Sequence, residues 1–432
     1  MDPITIALIG ILFMFVLILL QVPIGAAMAV SGILGYGLLS GFGPAFTIIA
    51  TETSTVISNT DLAVIPLFLL MGNFATSAGL SGDIYNLAYA FLGHRRGGLA
   101  LSTIAGCGFF GAVCGSSTAT AATFGRVALP EMRSRNYATH FAAGCIAAGG
   151  TLGSLVPPSV ILIIYAVMTE EFIITLFIAA IIPSILSIAS YFVAISIYLR
   201  IYPEAGPSGP RMIWAERLKT TIRCWGVILI LLVVVGGIYG GIFTVTEAAA
   251  FGTVLCFIFA LSRGKLTKKN FWEALTGTAL SSAMIYLVII GASIMTYFIT
   301  VSHMPDTVIS FLAGLQLPAF VIIALLLVVY LMLGSIFDTV AAMVITLPFV
   351  LPLITDLGYS VIWWGIINVV VIEIGMITPP IGLNVFILHG VAPEIPLSTI
   401  FKGIIPFLLA DIARLIILVL FPSLILWLPS LF

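Results

Sequence analysis

Residues 97–130 read GGLALSTIAGCGFFGAVCGSSTATAATFGRVALP. The stretch is apolar at both ends, but its centre, Cys114-Gly115-Ser116-Ser117-Thr118, is small and polar and breaks a helix. Arg95 and Arg96 precede it, and Arg133 and Arg135 follow it. Basic residues gather on the cytoplasmic side of a membrane. Both ends are therefore expected on that side, with the segment entering and leaving as a re-entrant hairpin. Irregular backbone at membrane depth is tolerated only where it is buried in protein or lines a cavity, so the polar tip is expected to face a site.

The rest of the chain supports a membrane setting. Of 432 residues, 61% are hydrophobic and only 8% charged, against about 25% charged in soluble domains. The net charge of −1 lacks the basic footprint that nucleic acid demands. Cys107, Cys114, Cys145, Cys224 and Cys256 sit in apolar runs without C-x-x-C spacing and read as buried small hydrophobes. The run Ile4 to Leu20 lacks a basic n-region and a cleavage site, so it is expected to remain as a first spanning helix. Arg200 to Arg223, the longest polar stretch, is too short for a core of its own. Simple spans are expected at 4–20, 24–41, 61–79, 172–199, 224–245, 247–262, 271–300 and 403–430. Four regions, 97–130, 137–167, 318–353 and 361–390, are long and interrupted by Gly, Pro, Ser or Thr.

Region 318–353 is the counterpart of the opening stretch. Its flanks carry His303, Asp306 and Asp356 and no Lys or Arg, and its middle reads Gly334-Ser335-Ile336-Phe337-Asp338-Thr339. It is expected to enter from the outside. The halves also match in sequence: Val22, Ala26 and Ala27 with Val245, Ala249 and Ala250; Phe91-Leu92 with Phe311-Leu312; Ser116 and Thr120 with Ser335 and Thr339; Gly153 and Pro157-Pro158 with Gly375 and Pro379-Pro380. The offset stays between 219 and 223. Each half reads as three spans, a short arm, a hairpin, a broken span and a final span. Inverted repeats with discontinuous helices are a transporter signature, with the site near the midplane where the repeats meet.

Two constellations carry the chemistry. The first joins Ser116, Ser117 and Thr118 to the break Gly153-Ser154-Leu155-Val156-Pro157-Pro158; the second joins Gly334, Ser335, Asp338 and Thr339 to Gly375-Met376-Ile377-Thr378-Pro379-Pro380. Hydroxyls and carbonyls freed by the proline pairs suit a hard cation, and helix N-termini suit a carboxylate. Small residues and hydroxyls also serve plain helix packing; their repetition on opposed hairpins is what marks a site. Asp338 at membrane depth needs a partner, either a cation, a proton or the broken backbone. Arg126 has two readings, a partner for a substrate carboxylate or a side chain snorkelling to the surface. Glu373, just before the second break, either supports that site or pairs with a basic group. Asn384 lines the cavity or braces a helix, and Asp411 with Arg414 are spaced to bridge on one helix. There is no H-E-x-x-H, G-x-S-x-G or P-loop string, so an enzyme is not expected, and transport would run on an ion gradient.

At Gly115 to Met132 (GSSTATAATFGRVALPEM), Gly150 to Pro158 (GTLGSLVPP) and Gly375 to Asn384 (GMITPPIGLN) the sequence resembles the large membrane subunit of tripartite ATP-independent periplasmic (TRAP) transporters, over essentially its whole length. The resemblance implies an all-α integral membrane protein of the inverted-repeat, elevator type, with two re-entrant hairpins and two broken helices, in the bacterial inner membrane. It implies Na⁺-driven uptake of a small organic acid such as a dicarboxylate or sialic acid. It implies two partners: a soluble periplasmic substrate-binding protein and a small four-helix membrane subunit, expected here as a separate chain. Carried onto this sequence, one Na⁺ site falls at Ser116, Ser117, Thr118, Gly153, Val156 and Pro157, and a second at Gly334, Asp338, Gly375, Met376 and Thr378. Substrate would lie between them, near Ser154, Ser335, Asn384 and Arg126. Residues 97–167 and 318–392 form the moving transport domain in this reading. Residues 1–96, 168–223 and 224–317 supply the scaffold helices, arms and cytoplasmic loop, and 393–432 the final helix. Rival readings are a stand-alone Na⁺/dicarboxylate symporter and a non-transporting membrane scaffold.

Overall fold

The structure, a computed structural model, describes residues 2–431 apart from Leu315. All the described secondary structure is helical, because a chain this apolar must satisfy its backbone within each segment. The first half runs α1 (Pro3–Leu19), α2 (Ile24–Ser40), α3 (Phe42–Ser58), α4 (Val64–Ala78), α5 (Leu80–Leu92), α6 (Gly98–Cys114), α7 (Ser117–Ser134), α8 (Thr139–Leu155), α9 (Val160–Thr169) and α10 (Ile173–Ile201). After α11 (Trp214–Arg223), the second half runs α12 (Trp225–Leu231), α13 (Gly237–Tyr239), α14 (Val245–Ser262), α15 (Lys268–Val301) and α16 (Met304–Gly314). It ends with α17 (Ala319–Ile336), α18 (Thr339–Asp356), α19 (Val361–Gly375), α20 (Leu383–Val391), α21 (Leu397–Leu420) and the short α22 (Ser423–Leu426). Among the described residues, eight helical segments are long and apolar enough to cross a membrane.

One local expectation is corrected, and two further segments prove helical. Residues 42–58 form α3, whose apolar character is diluted by Glu52 and four threonines. The 224–245 run is not one regular span: a π-helical turn at Leu232–Gly236 separates α12 from α13. The polar stretch before it is partly helical, with α11 meeting the next segment at 60°.

The halves share an order, and their packing exchanges partners. The helix α2 lies along α15, and α14 lies along α4. These are the second span of one half on the third span of the other, twice, as a two-fold relation between halves demands. Glycine makes the first contact close: a Cβ on Gly25 would stand 2.5 Å from the Leu287 carbonyl carbon, and one on Gly291 would stand 3.0 Å from the Gly25 Cα. Each hairpin packs against its own broken helix, α6 on α8 and α17 on α19.

The repeat register at the hairpin tips differs from the sequence match by three residues. The helices after the tips begin at Ser117 and Thr339, 222 positions apart, so Ser116 corresponds to Asp338 rather than to Ser335. This is also the spacing of Gly153 to Gly375 and of Pro157 to Pro379. Two hydroxyl residues four apart occur near both tips, and sequence matching locked onto the wrong pair.

Candidate functional site

Each tip is built from a helix end, a cap and a helix start. In the first, α6 ends at Gly115, whose φ of +62° is left-handed and suits glycine. Ser116 then caps α7, accepting from the Ala119 N–H at 3.4 Å, and its carbonyl accepts from the Thr120 hydroxyl at 2.7 Å. In the second, Asp338 caps α18, accepting from the Ala341 N–H at 2.7 Å. Each tip is held by the helix that follows the neighbouring proline pair. The Val160 N–H donates to the Gly115 carbonyl at 3.4 Å, and the Gly382 N–H donates to the Ser335 carbonyl at 3.0 Å.

The first residues of α7 and α18 make equivalent contacts with the last turns of the broken helices. The Ser117 N–H donates to Ser154 Oγ at 3.0 Å. The Thr339 hydroxyl donates to the Met376 sulfur and to Glu373 Oε1, both at 2.8 Å. Asn384 crosses between the halves: its Nδ2 donates to Ser117 Oγ at 3.0 Å and its backbone N–H donates to the Met376 carbonyl at 3.0 Å. Ser117, Ser154, Thr339, Glu373 and Asn384 are all buried.

These contacts surround a cavity of about 190 Å³. Of the residues singled out in the sequence, Ser116, Ser117, Thr118, Ser154, Asp338 and Met376 line it. Asp338 is exposed toward this opening rather than locked in dry protein. Gly153, Val156, Pro157, Gly334, Ser335, Gly375 and Asn384 stand behind the lining, and the glycines explain how the helices come so close. A Cβ on Gly375 would meet the Leu331 carbonyl oxygen at 2.7 Å, and one on Gly153 would meet the Ser116 carbonyl oxygen at 2.5 Å. The Thr378 hydroxyl turns back onto the Ile374 carbonyl at 2.6 Å and does not line the cavity. Arg126 is exposed on α7 and does not line this cavity.

The last wall comes from outside the hairpins: Leu69 of α4 and Ile285 of α15. Thr339 and Gly115, quoted at the tips without an ion or substrate role, also line the cavity, as do Val160 and Leu383, which the sequence did not single out. Thr339 was quoted beside Asp338, and its hydroxyl at a helix start was the available signal. Glu373 carries one oxygen, Oε2, without a hydrogen-bond partner among the described residues; a single carboxylate in the apolar run 361–375 was its signal. The cavity thus gathers hydroxyls, a carboxylate, two helix N-termini and two broken-helix C-termini. That set offers oxygen ligands to a hard cation and positive helix ends to an anion.

A profile of the family described as "Tripartite ATP-independent periplasmic transporter, DctM component" matches residues 11–424. The chain belongs to that family. Among relatives of this TRAP large permease, the C4-dicarboxylate TRAP transporter large permease protein DctM of Pseudomonas aeruginosa is 34% identical over 371 residues, covering 85% of this chain and 86% of that one. The isethionate TRAP transporter permease protein DctMQ of Oleidesulfovibrio alaskensis is 33% identical over 386 residues, 87% of this chain but 59% of that longer protein. In fold, the TRAP permease is similar to the YdaH transporter of Alcanivorax borkumensis, with a TM-score of 0.58 at 15% identity over 89% of both chains. Family membership makes it a multi-pass membrane transporter subunit and not an enzyme.

Proposed function

We propose that this subunit carries a small organic anion across the bacterial inner membrane, driven by the Na⁺ gradient. The observation that carries the reading is the convergence of Ser117 and Thr339, the first residues of α7 and α18, on one oxygen-rich cavity beside two broken helices. Ser116, Ser117, Thr118 and Ser154 would serve one ion on the first side. Asp338, with the backbone around Gly334, Gly375 and Met376, would serve another on the second. The anion would lie between them against the helix N-termini.

Residues 97–167 and 318–392 form the moving body in this proposal, entering the membrane as opposed re-entrant hairpins. The helices α4 and α15 present the fixed wall against which it slides, elevator fashion. Names of relatives support a substrate among small organic acids, C4-dicarboxylate for one and isethionate for another. The partners in this reading are a periplasmic binding protein that delivers the acid and a small membrane subunit. The relative named DctMQ is longer than this chain, which fits a second component joined there.

Na⁺ that binds only the folded protein must stabilise it by mass action, about 2.7 kcal/mol at a hundredfold excess over Kd. Thermal unfolding of the purified chain in detergent, with Na⁺ against K⁺ at equal ionic strength, should show a higher midpoint in Na⁺. Asp338→Asn keeps a cap acceptor but loses the charge, and should shrink that Na⁺-specific gain. Equal midpoints for wild type in the two salts would remove Na⁺ from the site.

A further inference from the structure

A large concavity lies away from the transport cavity, as an open trough of about 1040 Å³ between α10 and α21. It exists because the facing ridges are small: Ala189, Ser190 and Ala194 on α10, Ala410 and Ala413 on α21. Its rims are large, apolar and exposed, including Val193 and Ile197 on one helix and Ile405 and Leu409 on the other. Outward-facing aliphatic rims on two membrane-spanning helices place the trough against lipid.

One end of the trough has a different chemistry. Lys402, His140, Tyr198 and Tyr202 gather there. Lys402 is exposed and has no ion pair or hydrogen bond among the described residues. His140 shares a 2.9 Å hydrogen bond with the Tyr198 hydroxyl. Tyrosines at a helix end mark the headgroup level of a bilayer, and a lone ammonium there calls for an anion. From Tyr202 to Leu186 the trough follows sixteen residues of α10, about 24 Å at 1.5 Å per residue. That exceeds the roughly 15 Å of one leaflet that an acyl tail crosses.

The geometry points to a bound anionic glycerophospholipid, its phosphate on Lys402 beside the tyrosines and one tail in the alanine-floored trough. Basic pockets between membrane helices hold such headgroups. A partner helix would pack on the rims but would leave the ammonium uncompensated and the slot unfilled.

The test is native mass spectrometry of the protein released from nanodiscs of phosphatidylcholine mixed with phosphatidylglycerol. Wild type should retain phosphatidylglycerol in preference to phosphatidylcholine, and Lys402→Gln should weaken that retention about fivefold. Lys402 is exposed, so the variant is not expected to disturb folding. Retention without preference for the anionic lipid, or equal retention by Lys402→Gln, would overturn the proposal. Cysteines placed at Ile197 and Ile405 that cross-link efficiently to a co-purifying polypeptide would also overturn it, by giving the trough a protein occupant.

Discussion

The Thr339 hydroxyl donates a 2.8 Å hydrogen bond to Oε1 of Glu373, tying the first residue of α18 to the last turn of α19. Both side chains are buried, and the second donor contact of Thr339 goes to the softer Met376 sulfur. Glu373→Gln retains an oxygen acceptor for this hydroxyl, whereas Glu373→Ala leaves it only the sulfur. The alanine variant should be less stable than the glutamine variant by about 1 kcal/mol, read as a lower unfolding midpoint in detergent. Coincident midpoints would mean that this bond does not hold the second tip to its broken helix.

Close backbone approach predicts intolerance to a single methyl group. At Gly375 the added carbon would stand 2.7 Å from both the Gly334 carbonyl carbon and the Leu331 oxygen, neither of which can swing away. Overpacking of this kind costs about 1–3 kcal/mol. Gly375→Ala and Gly153→Ala should therefore lower the unfolding temperature, while Gly390→Ala, which meets nothing within 4 Å, should not. Matching unfolding temperatures for Gly375→Ala and Gly390→Ala would show that the α17–α19 contact can relax.

A buried polar cluster fastens the final helix. The Tyr191 hydroxyl donates to Asp411 Oδ2 at 2.9 Å, Arg414 pairs with Asp411 Oδ1 at 2.9 Å, and Arg414 also bonds the Ser187 hydroxyl. Removing one partner of a buried pair is expensive because the other charge stays behind, about 3–5 kcal/mol. Asp411→Ala should thus destabilise more than Tyr191→Phe, which forfeits the hydroxyl's hydrogen bonds to Asp411 and Thr151 at about 1–3 kcal/mol and leaves no charge unpaired. The double variant Asp411→Ala/Arg414→Leu should recover part of the loss. Greater damage from Tyr191→Phe than from Asp411→Ala would contradict this ranking.

The re-entrant reading of residues 97–130 predicts sidedness. Cysteines replacing Arg95 and Arg133 in a background without native thiols should both react with an impermeant reagent from the cytoplasmic side only. A residue in the loop 357–360 should react from the opposite side. Labelling of positions 95 and 133 from opposite faces would make the segment a simple span.

Much of this was legible because a membrane leaves few options. Where Gly115, Ser116 and Ser117 interrupt an apolar run, or Pro157-Pro158 and Pro379-Pro380 fall inside one, the freed backbone groups must find a cavity, and the structure has one there. The spacing of Asp411 and Arg414 likewise announced their ion pair. What composition hid was local: α3 is too rich in threonine to resemble a span, and nothing in the string LVVVG foretells a π turn. Partnership across the halves was hidden for another reason. Asn384 reaches Ser117 only because α20 packs on α7, and no spacing rule connects residues that far apart. Arg126 invited a substrate role on charge alone, and the side on which it projects is a property of the packed helix.

The most direct test is uptake of labelled C4-dicarboxylates, isethionate and sialic acid into proteoliposomes containing this chain and its small membrane subunit. An inward Na⁺ or K⁺ gradient is imposed, with or without the cognate binding protein. Uptake of one acid that requires both Na⁺ and the binding protein is predicted, and Asp338→Asn should reduce its steepness in Na⁺. Uptake with Na⁺ alone would make the chain a self-sufficient symporter, and equal uptake in K⁺ would contradict the ion-coupled account altogether.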